Sequence, residues 1–452
     1  MSESARALRP IFGPFDYVKS AEGVAAFLKS IAVQTESGIF WPAQPEIDTS
    51  EDAASFAYYN GNAGKIYFLT QLAAATGDKQ YLAAAQDGAR YILRNFATKT
   101  SAPLFHGLDD VEHSFYLGNG GIAFALLELY KLTKDEELYA FTKKLTDAIV
   151  ETAIIDADGA RWSKVGGLIG DWGTVLYLLY AAEIFGDDKY KDLAVLAGGT
   201  IIAGGEDAPI GKRYIAFTGS LGDFPETAFP EFPNFELGTA GGAYTLARLY
   251  EVSGEQRFLD AAKAGADYVQ SLAITQGDAA LIPYRLPDAQ DVYYLGFCHG
   301  PAGTGRLYYK LHKLTGDAAY GDFLNKLVNG LLLAGAPDQH SNGYWKTYSQ
   351  CCGTSAQINF FLGLWADTGD AKYLELANRG GRHVLGDAAV TDGPELKWYQ
   401  AFERINPALI TLDSGFSNGA AGIGAALLQL GLANEGRFTI PRQPDDPFPS
   451  KA

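Results

Sequence analysis

The chain alternates between strongly apolar stretches and amphipathic stretches, and this alternation recurs seven times. In the first copy, YNGNAGKIYFLTQL from Tyr59 is largely apolar, whereas QYLAAAQDGARYILRNF after Asp78 places its apolar residues at helical spacing. Each copy opens with a glycine-led turn, G-x-x-G in six copies and with Ala356 at the second glycine in the other. The first glycines of the turns are Gly61, Gly118, Gly170, Gly238, Gly300, Gly353 and Gly419.

A helix stop follows the apolar stretch in six of the seven copies. It reads ATGDKQYL in the first copy and LTGDAAYG in the fifth, and a glycine closes the helix in five of the six. Glycine suits this position because it adopts the left-handed conformation that ends a helix. The Asp or Glu that follows is favoured at the start of the next helix. Each copy is therefore predicted to be a helical hairpin, an apolar helix followed by an amphipathic one.

Hairpins that cannot bury their own apolar faces must stack on one another. The first glycines are 52 to 68 residues apart, and the terminal copies are no more polar than the middle ones. This favours a closed ring over an open solenoid, which would need polar end repeats. We predict an all-α fold, a double-layered α/α toroid of seven helical hairpins with the apolar helices in the inner ring. The glycine-led turns would then surround a central cavity at one end.

The pattern predicts one domain and a tail. Residues 1–436 would form the toroid, and residues 437–452, which are rich in proline, would lie extended on the surface or fray. The stretch from Gly219 to Glu236 contains three prolines and cannot be regular helix. It is either a connector that packs on the rim or a lid over the cavity.

Composition narrows the class of protein. The 452 residues are 47% hydrophobic and 20% charged, which is typical of a soluble globular chain with a large core. The net charge of −17 argues against nucleic-acid binding, which needs clustered Lys and Arg. No apolar run approaches the roughly 18 residues of a membrane span, and no apolar segment near the N-terminus indicates a signal peptide. We therefore predict a cytoplasmic protein that binds neither nucleic acid nor membranes.

The three cysteines are the clearest sign of chemistry. Cys298 lies 18 residues before the helix-closing Gly316, and Cys351 lies 18 residues before Gly369, so they hold equivalent positions in neighbouring repeats. Cys352 occupies the position of His299. Three thiols that converge on adjacent turns predict a Zn²⁺ site with an open fourth position, as in catalytic zinc centres. The alternative is that small buried thiols fill tight space beside the glycines.

The motifs GFCHG and QCCG, inside seven glycine-led hairpins, resemble those of the lanthionine cyclase (LanC-like) family, and the resemblance extends from about Tyr59 to Leu430. It implies an α/α toroid with one catalytic zinc. Such a protein adds a cysteine thiol of a dehydrated precursor peptide across dehydroalanine or dehydrobutyrine, which forms a thioether ring. By the same resemblance Cys298 and Cys351 match two zinc ligands, and Cys352 replaces the histidine that is usually the third. A separate dehydratase, or a kinase and lyase, would supply the peptide.

The proton-transfer positions differ from the family's pattern. Where the family's fourth turn usually reads Ala-His-Gly, this chain reads Glu236-Leu237-Gly238 and lacks the histidine. Gly166 falls near an expected aspartate, and Tyr294 occupies the place of an expected arginine. Thiol addition leaves an enolate that must be protonated at carbon, so a general acid is required. The candidates are His299, which follows a ligand, Asp171, which follows the third turn's glycine, and Glu236.

Two other functions stay open. The differences at the proton-transfer positions favour a non-catalytic LanC-like protein that binds peptides or thiols. A carbohydrate-active enzyme on the same architecture would need paired carboxylates, which Asp109, Asp110 and Glu112 could supply. That hypothesis leaves the three converging thiols unexplained.

Overall fold

The computed structural model describes residues 15–50, 56–98, 111–216, 231–338, 347–401, 406–439 and 443–449. Within them lie fourteen α-helices and five two-stranded antiparallel hairpins. Most of the predicted connector from Gly219 lies outside the described residues. None of the described helices is long and apolar enough to cross a membrane.

The helices form two concentric layers. The inner helices are α2 (Asn62–Thr76), α4 (Asn119–Thr133), α6 (Asp171–Phe185), α8 (Thr239–Ser253), α10 (Pro301–Thr315), α12 (Thr354–Thr368) and α14 (Ala420–Asn434). The outer helices are α1 (Tyr17–Ser30), α3 (Lys79–Asn95), α5 (Glu136–Glu151), α7 (Asp188–Ala203), α9 (Gln256–Ser271), α11 (Ala318–Leu333) and α13 (Ala371–Gly386). The inner helices are buried on nearly every side, as their continuous apolar character predicts.

Each short β-hairpin follows an outer helix and leads towards the next glycine-led turn. The strands are β1 (Val33–Thr35), β2 (Gly38–Phe40), β3 (Ile154–Ile155), β4 (Ala160–Arg161), β5 (Gly205–Asp207), β6 (Lys212–Tyr214), β7 (Ile274–Gln276), β8 (Ala279–Leu281), β9 (Tyr399–Gln400) and β10 (Thr411–Leu412). They pair consecutively, with Ile274 opposite Leu281 in β7–β8. The all-α prediction holds for the two layers, and the strands are confined to these connections.

The helix ends follow the predicted chemistry. Gly77, Gly186, Gly254, Gly316 and Gly369 end their helices in the left-handed conformation. In the second repeat Lys134 takes the same conformation with φ 57°. Asp78 and the aspartates at the equivalent positions of four other repeats then accept a hydrogen bond from the backbone two residues later, as at Gln80, and so cap the outer helix. Glu255, which precedes α9, makes no such side-chain bond. The turn between the two helices of a repeat is therefore fixed locally.

The second glycine, which six of the seven turns have, is required by close packing. A Cβ atom at Gly303 would lie 1.9 Å from the carbonyl oxygen of Phe297, which is part of the same turn. The chain folds back on the first turn of the inner helix at this point, and a side chain would force the two segments apart. The glycine signature therefore reflects the geometry of the rim.

The ring is closed, as predicted, but its seventh pair is built differently from the other six. Each inner helix packs on the next, and α14 packs on α2. The outer partner of α14 is α1, from the opposite end of the sequence, which buries Ala21, Val24, Phe27 and Leu28. Six pairs are thus consecutive hairpins, and the seventh joins the two ends of the toroid. In the described residues after α14 there is no further helix, since the chain turns at Gly436 and then becomes rich in proline.

The surface position predicted for the tail is wrong for residues 443–449. The side chains of Asp445 and Phe448 are only 2% and 3% exposed. Gln443 donates to the hydroxyl of Tyr58 at 2.9 Å, and Arg248 of α8 donates to the carbonyl of Pro444 at 3.0 Å. Tyr58 precedes the first inner helix and Arg248 lies on the fourth. One short segment can contact both only from the lumen, the space enclosed by the inner helices. Residues 443–449 therefore lie in the lumen, because they contact charged and aromatic groups of several repeats that local sequence patterns do not reveal.

Closure of the ring by α1 predicts that this helix belongs to the cooperative core. Phe27 is 1% exposed, so Phe27→Ala should reduce the free energy of unfolding by about 3–5 kcal/mol through lost burial and the remaining cavity. Thermal unfolding followed by circular dichroism should show one transition, shifted to lower temperature. Leu333→Ala, at an exposed position of α11, is the matched control and should shift it little. An early, separate transition in Phe27→Ala would contradict a ring closed by α1.

Candidate metal centre

Backbone hydrogen bonds link the glycine-led turns around the rim of the toroid. They join residues that lie two positions before the first glycine of each turn. These residues are Tyr59, Tyr116, Leu168, Glu236, Cys298, Cys351 and Ser417. Six amide-to-carbonyl bonds of 2.7–3.1 Å connect them, each from one turn to the next and the last from Ser417 back to Tyr59. Among these described residues, Tyr116 and Leu168 are the one neighbouring pair without such a bond. We call this set the rim ring, and its bonded neighbours are held close together.

The three predicted thiols meet at one arc of the rim ring. Cys298 donates its amide to the carbonyl of Cys351 at 3.1 Å, which holds the two turns together. The sulfur of Cys352 lies 3.3 Å from that of Cys298 and 3.2 Å from that of Cys351. All three sulfurs lie within 4.8 Å of one another, and no disulfide joins them. Three sulfur ligands in one cluster can hold a metal ion.

The thiols differ in acidity. Hydrogen bonds with the thiols of Cys298 and then Cys351 lower the pKa of Cys352 to about 6. Burial raises the pKa of Cys298. The cluster therefore favours at least one thiolate near neutral pH, and thiolate is the form in which cysteine binds metals.

Glu236 reaches the same cluster. It precedes Cys298 in the rim ring, and its Oε2 lies 3.6 Å from the sulfur of Cys351. Its side chain is buried, and burial followed by the neighbouring Cys351 thiol raises its pKa well above the usual value. The structure thus places this sequence-predicted carboxyl group beside the thiols.

His299 lies beside the cluster within an aromatic cage. Its ring is buried against Phe232, Tyr284 and Tyr294, with ring-centre distances of 4.8–5.4 Å. Burial, with a smaller contribution from Arg285, lowers its pKa to about 3, so the imidazole is neutral at ordinary pH. One ring nitrogen lies within 4.8 Å of a carboxylate oxygen of Glu236 and the sulfur of Cys298. The structure brings His299 next to the cluster as a neutral group.

Asp171 is not brought to the cluster. Its carboxylate accepts hydrogen bonds from the amides of Trp162 and Ser163 at 3.0 and 3.1 Å and from the Ser163 hydroxyl at 2.8 Å. It lines a separate cavity with Trp172 and Tyr214. Burial outweighs these hydrogen bonds and raises the pKa of Asp171. The residue follows a rim glycine in sequence, but its side chain fastens the end of β4 to the start of α6.

A small cavity on the lumen side of the thiols is lined by two predicted site residues, Glu236 and Cys351. Its wall also includes Tyr116, Arg306 and Gln443, which the sequence analysis missed. The hydroxyl of Tyr59 also hydrogen-bonds with the thiol of Cys351. Tyr59 and Tyr116 could have been found from their places in the rim ring, since each lies two residues before a first glycine. Arg306 carries no such signal.

The paired carboxylates of the carbohydrate hypothesis are not seen as a site. Glu112 is exposed, and Asp109 and Asp110 lie outside the described residues.

Residues 52–439 match the family of lanthionine synthetase C-like proteins. The chain belongs to this family. Its structure is similar to that of nisin cyclase, with a TM-score of 0.62 at 15% identity over 85% of this chain and 90% of that one. An unsaturated glucuronyl hydrolase specific for heparin gives a TM-score of 0.49 at 11% identity over 93% and 98% of the two chains. D-mannose isomerase gives 0.47 at 17% identity over 71% and 88%. No curated protein sequence matches the chain.

The cluster of this LanC-like chain predicts a metal site that depends on each thiol. Cys351→Ala should abolish tight metal binding, because a remnant with two thiolates holds the ion poorly. A Co²⁺ titration should then lose the charge-transfer absorption typical of thiolate ligands. Ser417→Ala changes the adjacent rim-ring position and should bind Co²⁺ as the wild type does. Retention of the absorption in Cys351→Ala would contradict a three-thiol site.

Proposed function

We propose that this protein is a zinc-dependent cyclase that adds a peptide cysteine thiol to dehydroalanine or dehydrobutyrine and so forms lanthionine-type thioether rings. The proposal rests on one observation above all, the convergence of Cys298, Cys351 and Cys352 at the rim of a LanC-like toroid. The three sulfurs are close enough for one zinc ion at about 2.3 Å from each to contact all of them. Three cysteines provide no closed four-ligand set, which leaves a position for substrate.

Zinc at such a site would lower the pKa of a bound substrate thiol and hold it as the nucleophilic thiolate. Three thiolate ligands give the site a formal charge of −1, one more negative charge than the usual set with a histidine. This charge favours transfer of an electron-rich thiolate over activation of water or polarisation of a carbonyl. The donor set of Cys298, Cys351 and Cys352 therefore suits thiol addition.

The reaction needs a proton carrier but no redox partner. The substrate sulfur bonds to the β-carbon of the dehydro residue, and the π electrons move to give an enolate. The thiol loses one proton, and the α-carbon gains one, so the overall addition is balanced. Glu236 is the proposed carrier, because its Oε2 lies 3.6 Å from Cys351 and its buried carboxyl faces the same cavity.

His299 has a supporting part in this proposal. It is a neutral imidazole, held by three aromatic rings and next to a thiol ligand. In this state it can accept or donate a hydrogen bond, and it adds no positive charge to the cluster. We propose that it orients Glu236 and the substrate. Asp171 is left out, because its carboxylate is committed to Trp162 and Ser163.

The substrate would be a dehydrated precursor peptide made by a separate dehydratase, or by a kinase and lyase. We place the reaction in the cytoplasm, because the three cysteines are free and a thiolate site needs a reducing compartment.

The direct test uses purified protein with a synthetic peptide that contains one dehydroalanine and one cysteine. Zinc-loaded protein should accelerate ring closure over the uncatalysed rate, and metal removal by a chelator should abolish the acceleration. Ring closure does not change the mass, so the free thiol is trapped with an alkylating reagent and counted by mass spectrometry. Elemental analysis should give about one zinc per chain. Protein that contains zinc and binds the peptide without closing rings would contradict the cyclase.

Glu236→Gln tests the proton carrier. We expect zinc content to be unchanged and ring closure to slow by about a hundredfold or more, the typical contribution of a positioned acid or base. Glu128→Gln is the matched control, since Glu128 is also buried on the inner ring but pairs with Lys131 and Tyr180. It should keep the wild-type rate. A Glu236→Gln protein with the full rate would rule out this carboxyl as the carrier.

A non-catalytic peptide- or thiol-binding protein is the second candidate. The observation that favours it is the position of Asp171, which the structure keeps away from the thiols. The same ring-closure assay distinguishes the two, because the binder would retain peptide and zinc without turnover.

A further inference from the structure

The segment 443–449 lies beyond the family match, which ends at residue 439. Its sequence is QPDDPFP, with two acidic residues between prolines and one aromatic residue. The lumen position of this segment needs a physical explanation, because burying two carboxylates is costly unless they are paired. Charge and shape in the lumen wall supply one.

The lumen wall that faces this segment is basic. Arg306 of α10 is almost fully buried, and its guanidinium lies 4.0 Å from the carboxylates of both Asp445 and Asp446. It also donates to the backbone carbonyl of Asp445 at 3.4 Å. Arg248 holds the carbonyl of Pro444 one residue earlier. The two acids therefore neutralise a buried cation that would otherwise be unfavourable.

The ring of Phe448 packs into a complementary depression in the same wall. Its ring packs on Tyr309 with a ring-centre distance of 4.4 Å and on Phe360 at 6.0 Å. Gly363 lies under the ring, and a Cβ atom there would come within 2.3 Å of it. Glycine in the middle of α12 is unfavourable for a helix compared with alanine. Its presence is explained by the approach of Phe448.

The segment also reaches the rim ring. Asp445 accepts a hydrogen bond from the hydroxyl of Tyr116, which is one of the seven rim-ring residues. Tyr116 and Arg306 line the cavity that Glu236 and Cys351 share. The guanidinium of Arg306 packs over the ring of Phe297, 4.9 Å from the ring centre. Phe297 directly precedes Cys298 in the sequence. One tail residue thus contacts two groups of the cavity wall.

We propose that residues 443–449 are part of the reaction site, with Asp445 as a positioning residue for Arg306 and Tyr116. Held in this way, the guanidinium stabilises the enolate oxygen that forms when thiol adds to the dehydro residue. The inference rests on the proposed cyclase function. It assigns to this chain's own tail the role of positioning Arg306 and Tyr116 for the reaction.

Gly363→Ala is the sharpest variant, because the added Cβ atom would occupy the space of the Phe448 ring and at the same time favour the helix. We expect kcat for ring closure to fall about tenfold to a hundredfold, as for a misplaced catalytic group, with zinc content and KM nearly unchanged. Gly321→Ala is the matched control. It is the same change within helix α11, where the added Cβ makes only ordinary contacts at 3.4 Å, and it should keep the wild-type kcat.

Two further variants separate positioning from folding. Asp445→Asn keeps the shape of the side chain and should lower kcat alone, and its effect should not add to that of Tyr116→Phe if the two act through one hydrogen bond. A chain ending at Thr439 should lose the same rate. A synthetic peptide of residues 440–452 should bind to it, measured by fluorescence anisotropy, and restore turnover. The same peptide with Phe448→Ala should do neither.

Wild-type ring closure is measured first in the same assay, so failure of the cyclase function is seen before any variant is compared. An active wild type with unchanged kcat in Gly363→Ala, Asp445→Asn and the shortened chain would overturn the tail's role and leave the cyclase standing. Faster ring closure by the shortened chain would also overturn it, because the tail would then obstruct the site.

Discussion

The amide-to-carbonyl hydrogen bonds between successive glycine-led turns are the constraint on which the site depends. They hold one residue of each turn at an equivalent place on the rim. Glu236, Cys298 and Cys351 are consecutive members of this ring, so their side chains meet although they are far apart in sequence. Glycine allows the tight fold of most of these turns, because a Cβ atom at Gly303 would lie 1.9 Å from the carbonyl oxygen of Phe297. The repeat thus determines where chemistry can be placed.

The interior of the toroid concentrates acidic groups around that arc. Glu236, Asp445 and the thiols of Cys298 and Cys351 are buried within or beside one cavity, with the half-buried Cys352 next to them. Burial raises the pKa of both carboxyl groups. Such an arrangement is unfavourable unless positive charge is supplied. Arg306 supplies part of it from the lumen wall, and a divalent metal ion at the thiols would supply more. The site's electrostatics therefore fit the proposed chemistry better than a purely structural role for the cysteines.

Local sequence patterns predicted most of the fold. Helix-ending glycines, aspartate caps and the apolar inner helices depend on neighbouring residues only, and the structure confirms them. The pairing of α1 with α14 was missed, because the two helices are separated by nearly the whole chain and no repeat motif marks α1. The tail was missed for a related reason. Proline-rich acidic segments usually lie at the surface, and only the assembled lumen offers Asp445 and Phe448 their partners.

The sequence by itself determined the seven-fold repeat, the family resemblance and the convergence of Cys298, Cys351 and Cys352, because equivalent positions in stacked repeats must become neighbours. Only the tertiary structure decided which polar residues join them. Asp171 and Glu236 both lie close to rim glycines in sequence, yet one side chain fastens a loop and the other faces the thiols. Arg306 lies on α10 at a position that no motif distinguishes. The direction of a side chain depends on the packing around it, and that packing exists only when the ring has closed.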